Sequence, residues 1–319
     1  MTERLNERYD VVVVGGGAAG LSGALTLARA RRSVAVVDAG APRNAPASGV
    51  HGLLGLDGIA PAELLERGRG EVRRYGGHVV SGEVAAVARE DDGGAFVVTL
   101  ADGGAVRARR LLVATGLGDE LPDIAGLRER WGRDVVHCPY CHGWEVRDRA
   151  IAVIGTGPMS VHQALLFRQW SDDVVYFPHT KAAPGADDAA RLAARGVRVV
   201  GGEVAAVESG GDRITGVRLR DGSVVARDAI AVATRMNACA GFLSGIGLAP
   251  VPHPAGVGEY VPADPTGRTD VAGVWVAGNV TDLTAQVGPS AAAGTLAAAH
   301  INADLVEEET RAAMAPVSA

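Results

Sequence analysis

The sequence has no long apolar run. No stretch approaches the roughly 18 residues of a membrane-spanning helix, and the polar residues 1–10 lead directly into a predicted strand without the apolar segment of a secretory signal. The expected location is therefore the cytoplasm, away from membranes. The chain also lacks a basic cluster, and its net charge is −6. This excludes nucleic acid as the expected partner, because nucleic acid binding needs a positive surface.

Cysteine is scarce, with three in 319 residues, so a structural disulfide framework is not expected. Cys138 and Cys141 have C-x-x-C spacing, which indicates a catalytic or a metal-binding pair. A zinc site usually needs a second pair of ligands at motif spacing. No second C-x-x-C exists, so no metal is predicted, although His137 and His142 keep zinc open as an alternative. Cys239 has no partner at motif spacing and is predicted to be a small buried residue.

Glycine, in contrast, is abundant, with 44 residues, and one group has the spacing of a dinucleotide-binding turn. A predicted strand at 9–14 ends in G-G-G-A-A-G at 15–20, and a helix-period segment follows from 21. In such a turn Gly15 permits the tight bend, Gly17 lets the backbone approach a pyrophosphate, and Gly20 lets the helix pack on the strand. A second strand ends in Asp38, whose carboxylate can accept ribose hydroxyls.

The same pattern recurs later in the chain. A strand at 150–154 leads into G-T-G-P-M-S at 155–160 and a helical segment at 161–169. Downstream, G-E-V-A-A-V at 82–87 is repeated without change at 202–207. A hairpin with a D-G turn and an apolar strand follow each copy. The sequence therefore predicts two similar α/β domains in tandem.

The first copy is longer than the second. It spans 67 positions from Gly15 to Gly82, against 47 from Gly155 to Gly202. The extra residues fall mainly in 39–65, a segment predicted to be a ligand-facing loop. After the second copy, a strand at 272–277 and an alanine-rich helix at 290–306 supply the missing end of the first domain.

This order of parts resembles the low-molecular-weight thioredoxin reductase family across essentially the whole chain. The resemblance implies an α/β fold of two Rossmann-like, three-layer ββα domains, the second inserted in the first. An FAD-binding domain is expected at 1–116 and 243–319. An NAD(P)H-binding-like domain carrying the C-x-x-C pair is expected at 117–242. The resemblance also implies a homodimer.

In that family the glycine turn holds the FAD pyrophosphate, the Asp38 position holds the adenosine ribose, and the Gly278-Asn279 position holds the ribityl chain. Asn279 replaces the usual aspartate, and its amide can still bond a hydroxyl. The FAD-binding residues expected from the resemblance are Gly15, Gly17, Ala18, Ala19, Gly20, Asp38, Ala39, Arg43, Asn44, His51, Val84, Ala114, Thr115, Gly116, Gly278, Asn279, Gln286 and Val287.

The second domain departs from the family at the nicotinamide site. Members that use NADPH carry an H-R-R-x-x-x-R type sequence after the second strand of this domain, whereas this chain has P-H-T-K-A-A at 178–183. One lysine and no arginine remain, and no acid is present for the ribose of NADH. Nicotinamide binding is therefore not expected, with the alternative that another residue binds the phosphate.

The dithiol segment also departs from the family pattern. Its sequence is H-C-P-Y-C-H-G-W-E at 137–145. His142 stands where thioredoxin reductases usually have an aspartate. The string resembles the dithiol oxidases that close the disulfides of gliotoxin and holomycin and pass electrons to O₂. This resemblance implies that Cys138 meets the substrate and Cys141 faces the flavin, and His142 or His137 is expected to be the base.

The predicted function is oxidation of a small-molecule dithiol to a disulfide with FAD as cofactor and O₂ as acceptor, giving H₂O₂. One alternative is an NAD(P)H-dependent reductase of the thioredoxin reductase type. The other is a flavin-bound redox sensor, in which the dithiol only reports oxidation.

Overall fold

A computed structural model describes residues 5–90 and 94–315. The outermost residues of the predicted FAD-binding domain, 1–4 and 316–319, lie outside the described part. The chain begins with β1 (Arg8–Val14), α1 (Ala18–Arg29), β2 (Val34–Asp38), α2 (Pro61–Arg74), β3 (His78–Ser81), β4 (Val84–Arg89), β5 (Phe96–Leu100) and β6 (Ala105–Val113). The four valines at 11–14 of β1 are buried. A continuous apolar strand of this kind suits a parallel sheet that is covered on both faces.

The middle of the chain repeats this arrangement. It contains β7 (Leu117–Glu120), β8 (Val135–Val136), α3 (Pro139–His142), β9 (Ile151–Ile154), α4 (Ser160–Phe167), β10 (Val174–Phe177), α5 (Ala186–Ala194), β11 (Arg198–Val199), β12 (Val204–Gly210), β13 (Arg213–Leu219), β14 (Val224–Ala226), β15 (Ala229–Val232) and β16 (Arg235–Ala238). Strands β11, β10, β9, β15 and β8 form a parallel sheet in that order, and β12, β13 and β14 form an antiparallel one.

The end of the chain returns to the first sheet. It contains β17 (Val251–Pro252), β18 (Gly258–Tyr260), β19 (Val274–Val276) and α6 (Val287–Met314). Strand β19 pairs in parallel with β6, beside the order β3-β2-β1-β6. The α/β fold with one domain inserted in the other is therefore confirmed. Strands β7 and β16, which lead into and out of the inserted part, pair with each other in antiparallel register.

Two apolar clusters cover the faces of the first sheet and form its three layers. One lies between the sheet and helices α1 and α6 and includes Leu27, Leu112 and Ile301. The other lies on the opposite face and includes Phe96 and Leu243. With both faces covered, a ligand must bind beyond the ends of the strands, and ligands of such sheets bind at the carboxyl ends.

Two predicted boundaries differ from the structure. The insert at 39–65 was predicted to be entirely loop, but its last residues, from Pro61, form the first turn of α2. Helix α6 extends to Met314 rather than ending near 306. Its last turns are held by ion pairs, such as Arg109 and Arg110 with Glu308, and not by a periodic apolar face. Among the described residues no helix is long and apolar enough to cross a membrane.

Helices α1 and α6 approach closely through small residues. A Cβ placed on Gly294 would lie 1.9 Å from the carbonyl oxygen of Ala19, and one on Gly23 would lie 3.0 Å from the carbonyl oxygen of Gly294. Gly294 therefore needs to be glycine because opposing backbone occupies the space of a side chain, and at Gly23 the Leu112 side chain, 2.3 Å away, adds to the restriction. This contact places the start of α6 beside the glycine turn.

Gly294→Ala is expected to lower the free energy of unfolding by about 1–3 kcal/mol, because the added methyl group overlaps opposing backbone. Gly70→Ala is the matched control. Gly70 lies in the exposed middle of α2, and no atom lies within 4 Å of the position that an added methyl group would take, so this change should be neutral or stabilising by about 0.5–1 kcal/mol. Urea unfolding followed by circular dichroism measures both, and equal stabilities would contradict the packing argument.

Candidate functional site

A cavity of about 800 Å³ lies at the carboxyl ends of the first sheet and extends to the dithiol segment of the inserted part. Its size is within the range of about 300–1,000 Å³ that is typical of ligand and cofactor sites. The walls come from the glycine turn, the insert between β2 and α2, the strand ends at Ala114 and Ala277, the dithiol segment and the start of α6.

The cavity brings together all but one of the predicted site residues. The predicted residues that line it are Gly15, Gly17, Ala18, Ala19, Asp38, Ala39, Arg43, Asn44, His51, Val84, Ala114, Thr115, Gly116, His137, Cys138, Cys141, His142, Gly278, Asn279, Gln286 and Val287. Gly20 is the exception, and it lies behind the turn. Residues distant in sequence therefore share one site.

The three motif glycines occupy different environments. Gly15 has a φ of +102°, and a Cβ there would lie 2.4 Å from the Ala114 carbonyl oxygen. A Cβ on Gly20 would lie 1.9 Å from the Gly15 carbonyl oxygen. Gly17, in contrast, has no atom within 4 Å of that position. Gly15 and Gly20 thus hold the turn against the sheet, whereas Gly17 exposes bare backbone to the cavity.

The side chains of Asp38 and Asn279, which both line the cavity, are oriented by hydrogen bonds to nearby backbone. One carboxylate oxygen of Asp38 accepts the Gly40 N–H at 3.2 Å. The amide nitrogen of Asn279 donates to the carbonyl oxygens of Asp282 and Ala285, each at 2.9 Å. An aspartate could not make these two donations, which accounts for asparagine at position 279. Asn279 lines the cavity.

The dithiol is a disulfide between Cys138 and Cys141, with Cα atoms 5.2 Å apart. Cys138 precedes the short helix α3, and its sulfur accepts the Cys141 N–H at 3.2 Å. Nε2 of Gln286, which immediately precedes α6, lies 4.0 Å from the same sulfur. The disulfide therefore faces the end of the cavity where α6 begins.

The two histidines beside the dithiol differ in their contacts. His137 places Nδ1 3.2 Å from the Val232 carbonyl oxygen, so one of its nitrogens is engaged. Both ring nitrogens of His142 are buried and have no hydrogen-bond partner among residues 5–90 and 94–315. Burial lowers the pKa of each ring. A neutral imidazole with a free ring nitrogen can accept a proton from a thiol, and both histidines line the same cavity as the dithiol.

A buried ion pair joins the insert to the strand that enters the second domain. Nε and Nη2 of Arg43 donate to the two carboxylate oxygens of Asp119 at 2.6 and 2.7 Å, and the Thr234 hydroxyl donates to the same carboxylate. Burial acts to raise the pKa of Asp119, but the Arg43 bonds and charge outweigh it and hold this pKa below its ordinary value. Sequence reasoning missed Asp119 and Thr234, since neither belongs to a motif.

Two further contacts join the insert to the second domain. A Cβ on Gly132 would lie 2.5 Å from Cβ of Pro46, so these two segments touch. His51 lies 3.5 Å from the Glu145 carboxylate, just beyond the dithiol. The insert, which was predicted to face a ligand, thus also holds the dithiol segment over the cavity.

Cys239 is not the small buried residue that was predicted. It is exposed and lines the cavity. Its N–H donates to the Gly116 carbonyl oxygen at 3.0 Å, and its carbonyl oxygen accepts the Thr115 hydroxyl at 2.6 Å. These backbone bonds place Cys239 at the cavity wall. The apolar character of a cysteine side chain therefore did not predict its exposure correctly.

The second glycine turn differs from the first in the side chain behind it. Ser160 occupies the place of Gly20 and is fully buried. Its hydroxyl oxygen accepts the N–H groups of Thr156 and Gly157 at 3.0 and 3.2 Å. The turn is therefore held by a side-chain hydroxyl where the first turn has only close packing.

No cluster of three His, Cys, Asp or Glu side chains that could hold a metal ion occurs within the described ranges. The zinc alternative would use Cys138 and Cys141, whose sulfurs are bonded to each other in this structure.

Arg43→Ala is expected to lower the free energy of unfolding by about 3 kcal/mol at pH 7, because it leaves the Asp119 carboxylate buried without its cation. The pKa of Asp119 is lowered in the folded state, so this loss should be complete at neutral pH and shrink as the pH falls through the carboxyl range. Arg67→Ala, which removes an exposed ion pair with Glu63, is the control. Thermal unfolding that is equal for the two variants would contradict the role of Arg43.

Comparison with known proteins agrees with this geometry. The family model of pyridine nucleotide-disulphide oxidoreductases matches residues 9–301. The protein "thioredoxin reductase tcpT" of Claviceps purpurea is 32% identical over 310 residues, which cover 93% of this chain and 95% of the relative. "Thioredoxin reductase sirT" of Leptosphaeria maculans is 39% identical over 142 residues, covering 44% and 43% of the two chains. The crystal structure of HlmI superposes with a TM-score of 0.90 at 47% identity, covering 98% of this chain and 97% of HlmI.

Proposed function

The chain belongs to the pyridine nucleotide-disulphide oxidoreductase family, and within it we propose an FAD-dependent dithiol oxidase that closes an intramolecular disulfide in a small molecule. It is an oxidoreductase similar in sequence to thioredoxin reductases. The observation that carries the proposal is the shared cavity. The open glycine turn, the Cys138–Cys141 disulfide and the His142 imidazole, which has no hydrogen-bond partner in the described part of the chain, face one space.

The residues fit FAD. Bare backbone at Gly17 suits a pyrophosphate, the Asp38 carboxylate suits the adenosine ribose, and the Asn279 side chain suits a ribityl hydroxyl. Gln286, whose Nε2 lies 4.0 Å from the Cys138 sulfur, would help to hold the flavin ring. When bound, FAD would supply a two-electron acceptor that passes its electrons to O₂ and yields hydrogen peroxide.

The side chains support the exchange chemistry as follows. His142 takes a proton from one substrate thiol, and the thiolate attacks the sulfur of Cys138, which breaks the Cys138–Cys141 bond and releases Cys141 as a thiolate. The Cys141 thiolate takes the proton of the second substrate thiol, and the resulting thiolate attacks the substrate sulfur of the mixed disulfide. That step releases the cyclic disulfide and Cys138 as a thiolate, so both cysteines are reduced. His142 and Cys141 hold the two protons, and the cysteine pair holds the two electrons.

The second domain supports the absence of a nicotinamide donor. The loop after its second strand carries Lys181 but no arginine. A reductase of the thioredoxin reductase type would need a cationic loop for the 2′-phosphate of NADPH, so it is the second candidate rather than the first.

Anaerobic mixing of the purified FAD-loaded protein tests the direction of electron flow. Small dithiols are expected to bleach the flavin absorbance, NADPH and NADH are expected to leave it unchanged, and admitted air should restore it with one peroxide per disulfide formed. Rapid bleaching by NADPH, with none by dithiols, would establish the reductase instead. A single turnover without repetition would indicate a sensor.

Cys138→Ser and Cys141→Ser should each abolish disulfide formation while FAD stays bound, because the exchange steps require both sulfurs and the FAD residues lie elsewhere in the cavity. Cys239→Ser is the matched control, since it removes the third thiol from the same cavity and should retain at least about half of the activity. Peroxide formation and flavin content measure the outcome. Loss of FAD from the two variants, or full activity in either, would refute this assignment.

A further inference from the structure

We propose that Gln163 is a positioning residue that keeps the Cys138 and Cys141 sulfurs within bonding reach of each other after their disulfide has opened. This inference rests on the proposed function, because it concerns the reduced pair that the exchange reaction leaves. The Gln163 amide bonds to backbone and not to a sulfur. It therefore acts through the backbone of the dithiol segment, residues 137–143.

The contact that carries the proposal is a hydrogen bond from helix α4 to the residue before Cys138. Nε2 of Gln163 donates to the His137 carbonyl oxygen at 2.7 Å, across 26 positions of sequence. The Gln163 residue is only 7% exposed. Its neighbours Ala164 and Phe167 on α4 are fully buried in the apolar cluster of the second domain. The donor therefore comes from an element that packing holds in place.

The oxygen of the same amide shows that packing alone does not explain a glutamine at this position. Oε1 of Gln163 is buried and has no hydrogen-bond partner within the described residues. A buried polar atom without a partner is unfavourable compared with an apolar group of the same size. Burial by itself would thus favour leucine or methionine here. The feature that only the amide supplies is the N–H donor to the His137 carbonyl.

The other end of the dithiol segment lies on an aromatic ring that follows the same helix. The rings of Tyr140 and Trp170 meet edge to face, with their centroids 5.9 Å apart. A Cβ on Gly143 would lie 2.7 Å from an atom of the Trp170 ring. Trp170 follows the last residue of α4 by three positions. Helix α4 and the turn after it therefore contact both ends of the segment.

These contacts matter most when the two sulfurs are not bonded to each other. In the oxidised protein the S–S bond and the Gln163 hydrogen bond hold the same backbone, so each partly substitutes for the other. In the reduced protein only the noncovalent contacts remain. They keep the two thiols at a high effective concentration, which favours closure of the disulfide. Loss of the Gln163 bond should therefore loosen the reduced pair more than the oxidised one.

Gln163→Met removes the donor and keeps an unbranched side chain of similar size. The FAD-loaded protein is equilibrated without oxygen in mixtures of reduced and oxidised dithiothreitol, whose reduced form gives two electrons and two protons to the pair and becomes a cyclic disulfide. Thiols are trapped with N-ethylmaleimide in denaturant and counted by mass spectrometry. Gln163→Met should be half reduced at an about fivefold lower ratio of reduced to oxidised dithiothreitol than wild type, the factor expected for one ordinary hydrogen bond.

Gln169→Met is the matched control, because it makes the same change at an exposed glutamine two residues beyond α4. It should be half reduced at the wild-type ratio. An unchanged ratio in Gln163→Met, or an equal shift in Gln169→Met, would overturn the assignment. If Gln163→Met does not fold, Gln163→Asn takes its place and is judged by the same outcomes, since its amide is one methylene too short to reach the His137 carbonyl.

Hydrogen exchange separates positioning of the open pair from a general loosening of the fold. The N–H groups of Cys141, His142 and Gly143 donate to carbonyl oxygens within the dithiol segment. In Gln163→Met they should exchange about fivefold faster than in wild type when the pair is reduced, and at close to the wild-type rate when it is oxidised. Equal acceleration in both states would make Gln163 a merely structural contact and overturn the proposal.

The oxidase function and the role of Gln163 are tested separately by these measurements. If wild type forms no peroxide with any dithiol in air, the oxidase function is wrong, and the dithiothreitol equilibrium still decides the role of Gln163. If wild type forms peroxide and Gln163→Met keeps the wild-type ratio at half reduction, the function stands and the positioning role is overturned.

Discussion

The ion pair between Arg43 and Asp119 is the contact on which the site depends most. The Asp119 side chain is buried on the strand that leads into the inserted domain, and Arg43 belongs to the insert of the other domain. A buried carboxylate without a cation is strongly unfavourable, so the two segments stay together. Thr234, just before the returning strand, donates to the same carboxylate. The two segments that connect the domains, at β7 and just before β16, are thereby held together, and this arrangement places the disulfide over the cavity.

The two domains show that a repeated unit can be held together in different ways. Both have a parallel sheet, a glycine turn and antiparallel strands in the same order. In the first, Gly20 provides close packing behind the turn. In the second, the buried Ser160 hydroxyl accepts two N–H groups of the turn from behind. The fold of the repeat is therefore kept although the side chain behind the turn differs.

The electrostatic surroundings of the dithiol agree with proton removal from a substrate. Burial favours the neutral form of His142, which can accept a proton, and the nearby Glu145 carboxylate favours the imidazolium that then forms. His51 of the insert lies 3.5 Å from both the Glu145 and the Asp57 carboxylates. The insert thus serves two purposes that its sequence did not separate: it lines the cavity and contacts the second domain.

Much of the fold and most of the cavity could be predicted from the sequence, because the physical causes are local. A valine run such as 11–14 indicates a buried strand, the spacing of Gly15, Gly17 and Gly20 follows from backbone geometry, and the C-x-x-C spacing brings two sulfurs within bonding reach. The pairing of Arg43 with Asp119 could not be predicted, because it joins positions 76 residues apart. The same holds for the exposure of residue 239 and the use of the Ser160 hydroxyl. Sequence alone thus determined which chemical groups the chain possesses, and the tertiary structure decided which of them meet, because burial and partnership arise only when distant segments pack.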